Sequence, residues 1–142
     1  MIDRKRGGII FLSSASALQG TALSANYAGT KAYNLILGES LWDEWHNKGV
    51  DVLGLMPGAT DTPGYMSSNP RLDHLPQLNV MEAVPAVAEA LDALGKGPSH
   101  MIGKKNRRNA FLLGRFMSRK KATVLVGKTM RACYLKPQDG GR

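Results

Sequence analysis

Cysteine is nearly missing from this sequence: Cys133 is the only one in 142 residues. A single thiol cannot close an internal disulfide, which excludes a small stapled secreted scaffold and makes a reducing cytoplasm the expected setting. Long apolar runs are missing too, none approaching the ~20 residues that cross a bilayer. Acidic residues are absent from one long stretch, Lys104 to Arg131, which holds ten Lys/Arg. Proline is absent from Ser24 to Asn47, so nothing there interrupts a long helix. What remains is ordinary for a soluble globular chain, with 43% apolar and 21% charged residues, a balance that excludes disorder and collagen-like repetition.

The net charge of +8 is unevenly placed. Residues 1–103 hold seven Lys/Arg and ten Asp/Glu, a net of −3, whereas residues 104–142 hold twelve and one, a net of +11. Basicity therefore describes the last quarter, and the chemistry of the first hundred residues has to be read without it. At the N-terminus, Arg4-Lys5-Arg6 followed by Ile9-Ile10-Phe11-Leu12 has the outline of a secretory signal. Its apolar run stops at Ser13, short of the ~7–15 residues such a signal requires.

Gly8 to Leu12 reads as a strand buried on both faces, a continuous β-branched and aromatic run between glycines and serines. A helix is expected from about Ser24 to Asn47, with Leu35, Ile36, Leu41, Trp42 and Trp45 at three- and four-residue spacing and Gly49 at its C-cap. Val50 to Met56 is a second buried strand, stopped by Pro57-Gly58. From Ala59 to Val80 the breakers Pro63-Gly64, Asn69-Pro70 and Pro76 predict a long irregular loop, and loops of that length are usually functional. Met81 to Leu94 is a helix ended by Gly95, and Ser99 to Gly103 a short third strand. This order predicts right-handed crossovers and a parallel α/β sheet.

Tyr27 and Lys31 lie four apart near the start of the long helix, so they share one face. A phenol ordinarily ionises near pH ~10. A neighbouring ammonium favours the phenolate, which makes proton exchange with a substrate feasible near neutrality. Alone, such a pair reads more simply as a core-edge tyrosine beside a solvated lysine. Its company changes the reading: Ser14 lies 13 residues earlier, at the end of the first strand, and Pro57-Gly58 lies 30 later, at the end of the second. In a parallel sheet those strand ends share one edge, and ligands of open α/β sheets bind in the crevice outside it.

Together, Gly8-Ile9-Ile10-Phe11-Leu12-Ser13-Ser14-Ala15-Ser16, Tyr27-Ala28-Gly29-Thr30-Lys31-Ala32 and Pro57-Gly58-Ala59-Thr60-Asp61-Thr62 resemble the short-chain dehydrogenase/reductase family in order and spacing, over about residues 7–103. The resemblance implies a Rossmann-like, doubly wound parallel sheet. It also implies hydride transfer between a nicotinamide, NAD or NADP, and a carbonyl or alcohol substrate. By the same resemblance Tyr27 is the general acid/base and Ser14 orients the substrate oxygen, with Ser13 and Ser16 as alternatives. Lys31 holds the nicotinamide ribose, while Pro57, Gly58, the backbone at Thr60 and the Thr62 hydroxyl fix the nicotinamide. The family also pairs the helix equivalent to residues 24–47 between protomers, which predicts a homo-oligomer and places Trp42 and Trp45 on the helix's buried side or at that contact. Tyr65, Met66 and His74, in a loop that closes over substrate in the family, are candidates to line a pocket.

One family feature is missing: no glycine-rich turn that would cradle a pyrophosphate occurs anywhere in the chain. The expectation is therefore a C-terminal half of such an enzyme, whether truncated, started late or a fragment, with little cofactor affinity of its own. Its Gly8–Leu12 edge is expected to be exposed and prone to aggregation or partner-dependent. Residues 1–103 would be the catalytic half and residues 104–142 a basic extension. That extension can form one or two amphipathic helices around Ala110-Phe111-Leu112-Leu113, Phe116-Met117 and Val124-Leu125-Val126. An anionic membrane surface is the favoured functional partner for 104–131, another subunit the next, and scarce aromatics, 6% of the chain, disfavour nucleic acid. The plainer alternative packs the apolar stripe on the enzyme and leaves the charges solvated. A competing reading makes the whole chain a non-catalytic remnant serving as a basic membrane-surface or oligomerisation module. His46, His74 and His100 are too scattered, beside one cysteine, to suggest a metal site.

Overall fold

The computed structural model describes residues 1–75 and 78–135, with the backbone alone for His74. Pro76 and the end of the basic tail, 136–142, lie outside the described residues. The chain runs β1 (Gly7–Leu12), α1 (Ala25–Trp45), β2 (Val50–Met56), β3 (Thr60–Asp61), α2 (Pro63–Met66), β4 (Met81–Glu82), α3 (Ala83–Ala93), β5 (Ser99–Met101), α4 (Lys104–Phe116) and α5 (Arg119–Tyr134). The strands β1, β2 and β5 form one parallel sheet in that order, as the alternation of strands and helices predicts.

β2 shows why its sequence has no alternation. Successive side chains point to opposite faces of a strand. Leu53 and Leu55 pack with Ala90 and Ala93 of α3 and with Ile102. Met56 packs with Leu35 of α1, and Gly54 meets the same helix. A helix on each face leaves only Asp51 of this strand exposed, so the strand is apolar at nearly every position. The approach of α1 is tight at a glycine pair. A Cβ placed on Gly38 would lie 3.1 Å from the Gly54 Cα, and one on Gly54 would lie 3.0 Å from Leu35 Cδ1.

β1 differs from its reading as a strand buried on both faces. It pairs with β2 alone among the described strands, and Leu12 at its end is 55% exposed. An apolar run records that side chains seek cover, and it cannot record whether a second strand lies alongside. α1 is a little shorter than expected and passes into a 3-10 turn, His46–Lys48, which Gly49 closes at φ 76°. A side chain there would collide with the Lys5 carbonyl, so glycine is required by both conformation and space. Ile36, counted with the apolar series, points outward.

The segment 59–80 is less irregular than its composition suggests. Thr60–Asp61 pairs in parallel with Met81–Glu82, and Met81 N–H donates to the Ala59 carbonyl at 2.9 Å. Thr62 caps α2 by accepting from Tyr65 N–H at 3.1 Å. Because Met81 and Glu82 are taken by this ribbon, α3 starts at Ala83 rather than Met81.

The basic segment folds as two helices, broken at Met117-Ser118, where the Ser118 hydroxyl accepts from Lys121 N–H. A polar cluster fastens α4 to α3 and β5. The Arg107 guanidinium pairs with Glu89 and donates to the Met101 carbonyl at 2.9 Å. His100 Nε2 lies 3.0 Å from Glu89 Oε1, and Gly103 N–H donates to the same carboxylate. Burial by itself pushes the Glu89 carboxyl up, but the hydrogen bonds from His100, Arg107 and Gly103 outweigh it and hold the group down at about 2. A carboxyl depressed by folding stabilises the native state above its unfolded value, near 4.5, and loses that contribution as pH falls through about 2. Solvent screening keeps the effect small, since about a third of the side chain is exposed. The stability deficit of Glu89→Gln, followed by urea unfolding, is therefore expected to be full above pH about 4.5 and to shrink toward zero by pH about 2; a deficit independent of pH would exclude this role.

Candidate active site

Parallel pairing brings the carboxyl ends of β1 and β2 to one edge, and the pairing continues into the loops beyond. Ser13 N–H donates to the Leu55 carbonyl at 2.8 Å and Ala15 N–H to the Pro57 carbonyl at 2.9 Å. Ser14 is thereby held between two anchored neighbours, beside the Pro57-Gly58 turn. Its Oγ accepts from Ser16 N–H at 3.2 Å and caps a 3-10 turn, Ala15–Leu18. An oxygen that accepts in this way keeps its own hydrogen for another acceptor.

Ser13 does something different. It is 1% exposed, and its hydroxyl donates to the Lys31 carbonyl at 2.7 Å. Buried and committed, it ties α1 to the end of β1 and cannot touch a ligand. Lys31 reaches back to the same place: Nζ donates to the Leu12 carbonyl at 2.9 Å, an oxygen that Asn34 Nδ2 also approaches at 3.2 Å. The ammonium also lies 5.5 Å from the centre of the Tyr27 ring, within cation–π range. Tyr27 stands in the first turn of α1, 49% exposed, and its hydroxyl makes no hydrogen bond among the described residues. The structure thus joins Ser14, Tyr27, Lys31 and Pro57 at one edge.

Gly58, Thr60 and Thr62 follow the turn. The Thr60 hydroxyl donates to the Gly58 carbonyl at 3.1 Å, and its oxygen can still accept. A Cβ on Gly58 would lie 2.7 Å from Asn106 Nδ2, so the turn is closed over by α4. Tyr65, expected to line a pocket, turns instead to α5. Burial pushes its phenol up to about 12, and the neighbouring Cys133, its hydrogen-bond partner, and Tyr134 add to the shift. Tyr65 therefore stays protonated and neutral near neutral pH. Met66 is exposed, and the His74 side chain lies outside the described residues.

Sequence reasoning missed Asn34, Asn106 and the Glu89–His100–Arg107 cluster. Asn34 was detectable in principle, three residues after Lys31 on the same helix face. The others are joined only by the folding of α4 onto the sheet. Among the described residues, no three His, Cys, Asp or Glu side chains gather as a metal site would need.

Residues 1–73, about half of the chain, match the short chain dehydrogenase family. The 7beta-hydroxysteroid dehydrogenase of Clostridium sardiniense is 30% identical over 105 residues, 74% of this chain and 40% of that protein. The very-long-chain 3-oxoacyl-CoA reductase-B of Danio rerio is 26% identical over 144 residues, 99% of this chain and 44% of that protein. Among solved structures, a 7beta-hydroxysteroid dehydrogenase superposes with a TM-score of 0.77 at 25% identity, over 87% of this chain and 49% of its own. A short chain dehydrogenase from Burkholderia cenocepacia in complex with NADP gives 0.66 at 23% identity, over 88% and 49%. The chain spans about two fifths of the length of these two relatives and half that of the solved structures. The Rossmann-like parallel sheet, the serine, tyrosine–lysine and proline–glycine motifs at its carboxyl edge, and these likenesses together show that the chain belongs to the short-chain dehydrogenase family.

Proposed function

We propose that residues 1–103 form the substrate-facing half of the catalytic domain of an NAD(P)-dependent oxidoreductase that interconverts a ketone and a secondary alcohol. Residues 104–142 are its basic helical extension. The observation that carries this reading is the meeting of Ser14, the Tyr27–Lys31 pair and the Pro57-Gly58 turn at one edge of a parallel sheet. Both relatives described above are named for hydroxy or oxo compounds, which supports the substrate class.

The residues that would hold NAD or NADP are Tyr27, Lys31, Pro57, Gly58, Thr60 and Thr62, and their free hydrogen-bonding capacity fits. Lys31 donates one of its three N–H groups to Leu12. Thr62 Oγ1 accepts from Tyr65 N–H and keeps its own hydrogen to donate. A bound nicotinamide supplies or takes the hydride. Ser14 donates its hydroxyl hydrogen to the substrate oxygen and orients it. Tyr27 gives a proton to that oxygen during reduction and takes it back during oxidation, with the Lys31 ammonium 5.5 Å from its ring centre. The outer side of α1 carries Tyr33 and Ile36, 67% and 60% exposed, and is the proposed homo-oligomer contact.

To test this, the cofactor-binding half of the Clostridium sardiniense relative is joined ahead of this chain and assayed with NADH and NADPH against a panel of ketones. Reduction of at least one ketone is expected. A chimera that folds and binds either cofactor yet reduces none of them would overturn the proposal.

A further inference from the structure

We infer that the outward faces of α4 and α5 dock on an anionic lipid surface. A helical extension that merely packs on its enzyme needs one apolar stripe, and each of these helices has two sets of apolar residues. The inner stripes, Ala110 and Leu113 on α4 and Ala122, Val126 and Cys133 on α5, are buried or half-buried. The second sets face out. On α4, Phe111 and Phe116 are 65% and 72% exposed, with Leu112 beside them, and Arg108 and Arg115 share that arc. On α5, Val124 and Leu125 stand exposed among Lys120, Lys121 and Lys128. Large apolar side chains kept in water between cations are unfavourable unless something covers them.

Charge decides what that cover is. No acidic residue occurs from Lys104 to Arg131, and the Glu89 carboxylate is already engaged by Arg107. A second copy would bring like charges face to face. A bilayer containing anionic lipid supplies both missing complements, negative headgroups for the cations and acyl chains for the apolar tips. The Arg115 guanidinium lies 5.9 Å from the Phe116 ring centre, so charge and apolar surface are presented at the same level. Three of the five outward apolar side chains, Leu112, Val124 and Leu125, are aliphatic and cannot stack on bases, which favours lipid over nucleic acid. No helix of the described residues is long and apolar enough to cross a membrane, so the contact is with the surface.

The test is co-sedimentation of the 142-residue chain with vesicles of phosphatidylcholine alone and of phosphatidylcholine with phosphatidylserine. Binding to the phosphatidylserine vesicles alone is expected, weakening as salt rises above about 0.15 M. Phe111→Ser/Phe116→Ser and Lys120→Glu/Lys121→Glu are each expected to weaken it ~tenfold or more. All four side chains are exposed, so circular dichroism should match the parent. Equal binding to both vesicle types, a Phe111→Ser/Phe116→Ser chain that binds as the parent does, or release of the chain from vesicles by duplex DNA of equal charge concentration would each overturn the inference, the last in favour of nucleic acid.

Discussion

Tyr27→Phe is expected to lower turnover by ~10²–10⁴-fold, the usual loss when a general acid/base is removed, while changing cofactor affinity far less. The substitution deletes one oxygen and keeps the ring, so the Lys31 ammonium retains its aromatic neighbour and the Thr30 hydroxyl still donates to the backbone carbonyl at position 27. Half of the tyrosine is in solvent, and its hydroxyl makes no hydrogen bond among the described residues, so stability should barely move. The measurement is made in the joined protein described above, with kcat and cofactor Kd determined separately. Turnover retained within an order of magnitude would remove Tyr27 from the proton path and leave Ser14 as the residue to test.

The second large effect is on stability. Alanine in place of glycine inside a helix ordinarily adds ~0.5–1 kcal/mol, because it lowers the entropy of the unfolded chain. Gly29 and Gly38 both lie within α1, and they offer that gain in opposite settings. A Cβ at position 29 meets nothing within 4 Å, whereas one at position 38 lies 3.1 and 3.2 Å from backbone atoms of Gly54. A backbone in the central strand cannot swing aside as the end of a flexible side chain can. Gly29→Ala is thus expected to stabilise, Gly38→Ala to destabilise by ~1 kcal/mol, and Gly38→Val to cost ~3 kcal/mol through overpacking. Urea unfolding of the three variants separates propensity from packing. If Gly38→Ala gained as much stability as Gly29→Ala, the contact of α1 with β2 at Gly38 and Gly54 would not be tightly packed.

Several features are legible in the amino-acid sequence alone. β2 is apolar on both parities because it is covered on both faces, and that pattern survives in one dimension. Tyr27 and Lys31 share a face because four residues make about one helical turn, and Gly49 closes the segment because only glycine takes its backbone conformation cheaply. Other features were not legible. Composition made 59–80 look formless, since a two-residue strand carries no periodicity and Thr60–Asp61 becomes a strand only when Met81–Glu82 lies beside it. The apolar residues of the basic segment also looked like one stripe; Leu113 and Val126 turn inward while Phe111, Phe116 and Leu125 turn outward, a division set by where the rest of the molecule lies.

By itself, then, the sequence determined what depends on neighbours along the chain: the longer helices and strands, the parallel α/β class, the family motifs and the split between an acidic first part and a basic last part. Tertiary structure decided which of two adjacent serines is free. Ser13 is buried against the Lys31 carbonyl and Ser14 is left with a hydrogen to donate. It also decided that Lys31 anchors on the Leu12 carbonyl, that Tyr65 serves α5, and that Glu89, His100 and Arg107 form one cluster. The physical reason is common to all four. Hydrogen bonds and ion pairs act over about 3 Å, and only the folding of helices onto the sheet brings residues distant in sequence within that reach.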